Sequence, residues 1–175
     1  ISILEASYLI FLLPSFHNNL GKRITKRPKL YFWDTGLVCS LTNIRSQDVL
    51  SGGPMAGAIF ENRVIADIYK QIHHFHRDQS LFYFRSNLGL EVDLIIEDHA
   101  RDHVSFIEIK RSSTYKSQMV ASLTNIMNLF PKKRSGYLLY QGEQEYHLSN
   151  QIQVINARSF LLGSSSIVPL GPVTK

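Results

Sequence analysis

The chain has one cysteine, Cys39. A lone thiol excludes an internal disulfide and a cysteine-built zinc site, and it fits a reducing, cytoplasmic compartment. Flanked by Leu37, Val38 and Leu41, Cys39 reads as a small buried apolar position. No Gly-x-x-x-x-Gly-Lys-Ser/Thr loop occurs, so ATP binding by that route is not expected. Long apolar runs are also missing. The stretch Tyr8 to Phe16 falls well short of the ~20 residues that span a bilayer. It lacks the positive flank and small-residue cleavage site of a signal peptide, so it reads as a buried strand.

The remaining composition is that of a globular protein. The 175 residues are 44% hydrophobic and 19% charged, enough for one domain, or one domain with an extension, around a real core. The net charge of +5 is compatible with a polyanion such as nucleic acid, and equally with a solubilising surface. Because Ile1 already stands inside a recognisable pattern, the chain is expected to be a piece of a longer polypeptide.

Residues 1–50 read as a first unit, an N-terminal β-hairpin or wing extension ending a preceding module. In it Tyr8 to Leu12 is a strand stopped by Pro14, and Lys29 to Phe32 is its partner across a polar, basic loop that turns at Gly21. Asp34 is placed as the N-cap of a helix over Gly36 to Thr42. Ser51 to Pro54 reads as a break. A second unit, 51–162, opens with a helix from Ala56 to Tyr69, whose Ile59, Phe60, Val64, Ile65 and Ile68 make one apolar face with Glu61 beside it. Strands follow at 81–84, 91–97 and 104–110, then a helix at 115–129, a strand at 136–140, two short strands and a last helix at 157–162. Residues 163–175 read as a flexible tail. The order helix, three meandering strands, helix, strand predicts an α/β fold with a mixed central sheet flanked by helices.

Chemistry concentrates on the second and third of these strands. Alternation sends Glu108 and Lys110 to one face and Ile107 and Ile109 to the other, and sets Asp93 with Ile95 opposite Val92, Leu94 and Ile96. A loop centred on 98–103 sets Asp93 across from Glu108 and Glu91 across from Lys110. Two carboxylates that close repel unless a cation stands between them or one is protonated. Mg²⁺, or Mn²⁺, takes one or two carboxylates and leaves positions for water and substrate phosphate. Lys110 is then placed to orient the attacking water, and Glu61 to add a ligand from the neighbouring helix. The competing reading is a structural cluster in which Lys110 neutralises Glu91 or Glu108.

Glu61, then Asp93, then Glu108-Ile109-Lys110 resembles the D…(D/E)XK signature of restriction-endonuclease-like nucleases, including the helical Glu that many of them carry. The longer pattern, YLIFLLPSFHNNLGKRITKRPKLYFWDTGLVCSL, GAIFENRV, FYFRSNLGLEVDLIIE and FIEIKRS, is similar to the C-terminal domain of unknown function attached to AAA-type ATPase modules in bacteria and archaea. The resemblance implies a PD-(D/E)XK fold, a preceding ATPase module, and Mg²⁺-dependent phosphodiester hydrolysis in DNA with Glu61, Asp93 and Glu108 on the metal. A non-catalytic module binding nucleic acid or protein for the ATPase is the alternative.

Arg85, Arg111 and Lys116 are candidates for tracking a phosphate backbone. Lys132, Lys133 and Arg134 read equally as a solvated surface. The run Lys22, Arg23, Lys26, Arg27 and Lys29 suits either a nucleic-acid wing or a docking surface for the ATPase module. His73, His74 and His76 read as incidental at a helix end, because only His73 and His76 have a spacing that shares an ion. Tyr31, Phe32 and Trp33 read as core.

Overall fold

Asp34 caps a helix as its spacing predicts: its carboxylate accepts the Gly36 N–H at 2.7 Å. The computed structural model describes residues 1–16, 27–87, 89–130, 133–148 and 151–163, with the Lys133 side chain left aside. The helix capped by Asp34 is α2 (Thr35–Leu41), preceded by α1 (Ser2–Ala6), β1 (Ile10–Leu13) and β2 (Lys29–Phe32). After it come α3 (Gln47–Gly52), α4 (Ala56–His74), β3 (Gln79–Arg85), β4 (Glu91–Asp98) and β5 (His103–Lys110). A 3-10 turn over Ser117–Val120 leads into α5 (Ala121–Met127), followed by β6 (Lys133–Tyr140), β7 (Tyr146–Leu148), β8 (Ile152–Asn156) and α6 (Ala157–Leu161).

Six strands form one mixed sheet in the order β3-β4-β5-β6-β8-β7. The meander β3-β4-β5 is antiparallel, β6 joins β5 in parallel, and β8 continues parallel to β6. A parallel step needs a crossover, and the turn with α5 provides it between β5 and β6. Val64, Ile65, Ile68 and Ile72 of α4 pack with Leu94, Ile96, Ile107 and Ile109 on one face, together with Phe160 of α6. On the other face Leu123, Ile126 and Met127 of α5 cover Val92, Ile95, Phe106 and Leu138. Both faces of the central strands are therefore apolar, which is why β4 and β5 read as near-continuous hydrophobic runs. Each Leu or Ile so buried contributes about 1.5–3 kcal/mol.

The hairpin β1-β2 shares this core and does not project from it. Phe11, Leu13 and Tyr31 belong to the α4-side cluster, and Phe11 stacks with Tyr31 at 5.6 Å between ring centroids. Asn62 of α4 ties the hairpin down, accepting the Phe32 N–H at 2.9 Å and donating to the Phe32 carbonyl at 2.7 Å. Tyr83 of β3 holds the end of the hairpin next to its connecting loop: its N–H donates to Pro14, its carbonyl accepts from Phe16, and its hydroxyl donates to the Arg27 carbonyl. Trp33 packs on Phe11 and Tyr69, as a core aromatic should.

Several expectations need correction. Ser51 and Gly52 end α3 instead of forming a break, because Ser46 caps that helix through the Val49 N–H. The helix expected over 115–129 is shorter, with a 3-10 turn in place of its first part. Cys39 is half-buried, and the neighbouring Val38 is the residue that turns inward. Strict alternation along β4 also fails. Phe82 pairs with Ile95 but Phe84 with Val92, so Asp93 and Leu94 together face Tyr83. This bulge puts Val92 beside Ile95 in the α5-side core, not with Leu94 and Ile96. Gly21 and most of the basic run, the tail from 164 and Lys132 lie outside the described residues.

Candidate functional site

The β4–β5 ladder runs from Asp98 opposite His103 to Leu94 opposite Ile107. Extended by one residue, the same register sets Asp93 against Glu108, as the sequence predicts. Ladder bonding changes at this point: the Asp93 carboxylate, in place of a backbone carbonyl, accepts the Ile109 N–H at 2.8 Å. The bulge opposite Tyr83 is the local cause, because it turns Asp93 out of regular alternation.

Asp93 and Glu108 are 7% and 6% exposed, which is rare for carboxylates without a full set of partners. Burial, then the Glu108 and Glu61 charges, push the Asp93 carboxyl up to about 7, against the Ile109 hydrogen bond that lowers it. Burial also pushes Glu108 up, although its bond to Lys110 opposes the shift. The two therefore titrate as a pair. Lys110 donates to Glu108 Oε1. Burial alone would lower the Lys110 ammonium, but that bond and the surrounding carboxylates raise it. Glu108 Oε2 is buried with no hydrogen-bond partner among the described residues.

A second group of contacts adjoins this pair. Glu61 Oε1 accepts the Tyr31 hydroxyl at 2.6 Å and lies 3.5 Å from Lys29 Nζ. Lys29 Nζ is 2.7 Å from Glu91 Oε1, and Arg85 Nε is 3.6 Å from Glu91 Oε2. The Lys29 ammonium also stands over the Tyr83 ring, 5.4 Å from its centroid. Burial, then Glu61, raise the Tyr31 phenol so that it stays a donor. Beside Lys29 and Glu61 opens a cavity of about 370 Å³, walled by Tyr31, Val38, Met55 and Ile59.

All four motif residues are thus gathered at one place, in two sets. Asp93, Glu108 and Lys110 form the buried set. Glu61 belongs to the hairpin-side set and is engaged by Tyr31 and Lys29. Glu91, expected across from Lys110, pairs with Lys29 and Arg85, since Lys110 turns to Glu108. Among the described residues, no group of three or more His, Cys, Asp or Glu is arranged to hold a metal. What does fit a hard divalent cation is the pair Asp93 and Glu108. It offers oxygen donors, an unpartnered buried oxygen and mutual repulsion that a cation relieves.

Arg85 lies beside this cluster through Glu91. Arg111 donates to the Ser51 carbonyl at 2.8 Å, and Lys116 is exposed at the start of the 3-10 turn. Arg134 donates to the Phe130 carbonyl. His73 stacks on Tyr69 at 4.6 Å, in keeping with an incidental role. Sequence reasoning missed Lys29, Tyr31, Tyr83 and Asn62 as parts of the site. One signal was available: in strand period, Lys29 and Tyr31 share a face while Leu30 faces away, and Leu30 is indeed 42% exposed.

A family described as a domain of unknown function (DUF4143) matches residues 56–160, and a second domain of unknown function (DUF8612) matches residues 1–48. Two curated relatives, the uncharacterized proteins Mb2031c of Mycobacterium bovis and Rv2008c of Mycobacterium tuberculosis, are each 30% identical over 147 residues. The match covers 84% of this chain and 31% of each relative, so the chain spans about a third of their length. No solved structure matches. Among the described residues, no helix is long and apolar enough to cross a membrane.

Proposed function

The chain belongs to the family described as the domain of unknown function DUF4143, and we propose that it is a restriction-endonuclease-like domain that hydrolyses phosphodiester bonds in DNA with a divalent cation, Mg²⁺ or Mn²⁺. In this proposal it serves a longer protein whose other part is an AAA-type ATPase module. The element order α4, β3-β4-β5, α5, β6, with acidic residues on β4 and β5 and a lysine two residues after the second, supports the fold assignment.

One observation carries the chemistry: Asp93 and Glu108 are buried side by side, and Glu108 Oε2 has no partner among the described residues. Burying two like charges is costly, and a structural role does not require it. A bound divalent ion would neutralise the pair, polarise a phosphoryl oxygen and make a coordinated water more acidic. Asp93 and Glu108 hold it. Lys110, with its side chain 41% exposed, presents its ammonium to the incoming phosphate and aligns the attacking water. That water's oxygen would add to phosphorus as its proton passes to solvent, the ester P–O bond would break, and the departing oxygen would take up a proton from solvent. Arg85, Arg111 and Lys116 supply exposed positive charge for the flanking phosphates.

A second reading has its own support. Lys110 on Glu108 and Lys29 on Glu91 and Glu61 already offset much of the negative charge, as in a non-catalytic nucleic-acid- or protein-binding module. Cleavage of supercoiled and linear DNA by the 175-residue chain, with Mg²⁺, Mn²⁺ or EDTA, separates the two. Metal-dependent cleavage that disappears in Asp93→Asn and Glu108→Gln supports hydrolysis. DNA retention without cleavage, unchanged by metal or by either substitution, supports the binding module.

A further inference from the structure

Around the cluster, Lys29 is the cation placed with the most care. Its ammonium lies between two carboxylates, 2.7 Å from Glu91 and 3.5 Å from Glu61, with the Tyr83 ring beneath it. Its side chain is only 24% exposed. Tyr31, two residues along the same strand face, donates to the same Glu61 oxygen, Oε1, and holds that carboxylate in place. Tyr83 also clamps both flanks of the hairpin, through Pro14, Phe16 and Arg27. Lys29 is therefore tethered by a folded element, which gives its charge a high effective concentration at Glu61 and Glu91. By contrast, the adjoining Glu108, more than nine-tenths buried, keeps one oxygen without a partner among the described residues.

We propose that Lys29 stands in for a second divalent ion: held between Glu61 and Glu91, its ammonium confines the site to a single ion on Asp93 and Glu108. The inference rests on the metal reading above and sharpens it to an ion count. Two carboxylates facing one cation across a partly closed gap are the same donors that a second Mg²⁺ or Mn²⁺ would use. A free ion must displace a tethered ammonium to reach them. The site is also composite. Lys29 and Tyr31 lie in the segment matched by one family, residues 1–48, whereas Glu61, Glu91, Asp93 and Glu108 lie in that matched by the other, residues 56–160. Lys29 is thus a positioning residue: it sets how many ions the carboxylates accept.

Mn²⁺ binding to the 175-residue chain, counted by electron paramagnetic resonance of the free ion, tests this without reference to cleavage. Wild type and Lys29→Arg are expected to bind one ion per chain. Lys29→Met, close in shape but neutral, is expected to bind two, and Lys29→Met/Glu61→Gln to return to one. Circular dichroism checks folding. Should Lys29→Met not fold, Lys29→Gln keeps a donor for Glu91 and reads the same count. A second ion on wild type, or one ion on the folded neutral variant, overturns the proposal while the metal reading stands. No ion on wild type and one on Lys29→Met overturns the Asp93–Glu108 metal reading but keeps the exclusion by Lys29. No ion on either removes both.

Discussion

Ile109 donates its backbone N–H to the Asp93 carboxylate at 2.8 Å, so the acidic side chain continues the β4–β5 ladder where regular pairing stops. The bond locks Asp93 beside Glu108 even though burial and like charge oppose placing a carboxylate there. Local backbone need and site chemistry meet in one contact.

Stability should fall as pH rises from about 4 to about 7. Asp93 has an ordinary value near 3.9 when unfolded and is raised to about 7 in the fold, so the folded state holds the extra proton across that window. Protons bound in the folded state exceed those in the unfolded state, the slope of unfolding free energy with pH is negative, and the loss is complete above pH 7. The upper limit is about 4 kcal/mol, at 1.36 kcal/mol per unit. Urea melts at pH 5 and pH 8 read it; equal midpoints would mean that the pair is not strained.

Mg²⁺ or Mn²⁺ should raise the melting temperature at pH 8 and do little at pH 5, because protons and metal compete for the same oxygens. Thermal melts with and without EDTA check this. A shift equal at both values would point to ions bound elsewhere.

Asp93→Asn should stabilise the metal-free chain at pH 8, by about 1–3 kcal/mol, while abolishing cleavage. The amide oxygen still accepts from Ile109, and the buried charge is gone. Gains in stability with loss of function mark a site kept under strain for activity. A destabilised variant would show instead that Asp93 is structural.

Lys110→Met should cost about 1–2 kcal/mol at pH 8 by leaving Glu108 without its counter-charge. The figure is below that of a fully buried pair because Lys110 is 41% exposed. Chemical denaturation at pH 8 measures the cost, and it should shrink as the pH falls, because burial holds the Glu108 carboxyl above its ordinary range and protonation removes the charge that Lys110 offsets.

Gly136→Ala tests the packing that carries the parallel half of the sheet. A Cβ there would stand 2.6 Å from Met127 Sδ and 2.8 Å from Ile152 Cγ1, so the Met127 side chain of α5 and the Ile152 side chain of β8 must give way. Overpacking of this kind costs about 1–3 kcal/mol. Denaturant midpoints measure it, and an unchanged midpoint would mean that the core on that face gives way freely.

The sequence by itself determined the element order, the α4 face, the Asp34 cap and the pairing register of β4 with β5. These depend on local spacing and loop symmetry, which the chain carries in its own order: apolar period along α4, a polar stretch centred between two strands, an aspartate two residues before Gly36. It also identified Asp93, Glu108, Lys110 and Glu61 as one group. Tertiary structure alone decided how that group is divided. Lys29 looked like one charge in a basic run, since nothing near it in sequence says that a hairpin 32 residues before Glu61 folds back onto α4. The bulge opposite Tyr83 was equally hidden, because a one-residue register shift depends on the partner strand. Asn62 looked like a polar residue on a helix until Phe32 lay against it. Charge pairing between distant segments is set by packing of the apolar faces that bring them together, and those faces specify a core without naming which ions meet at its rim.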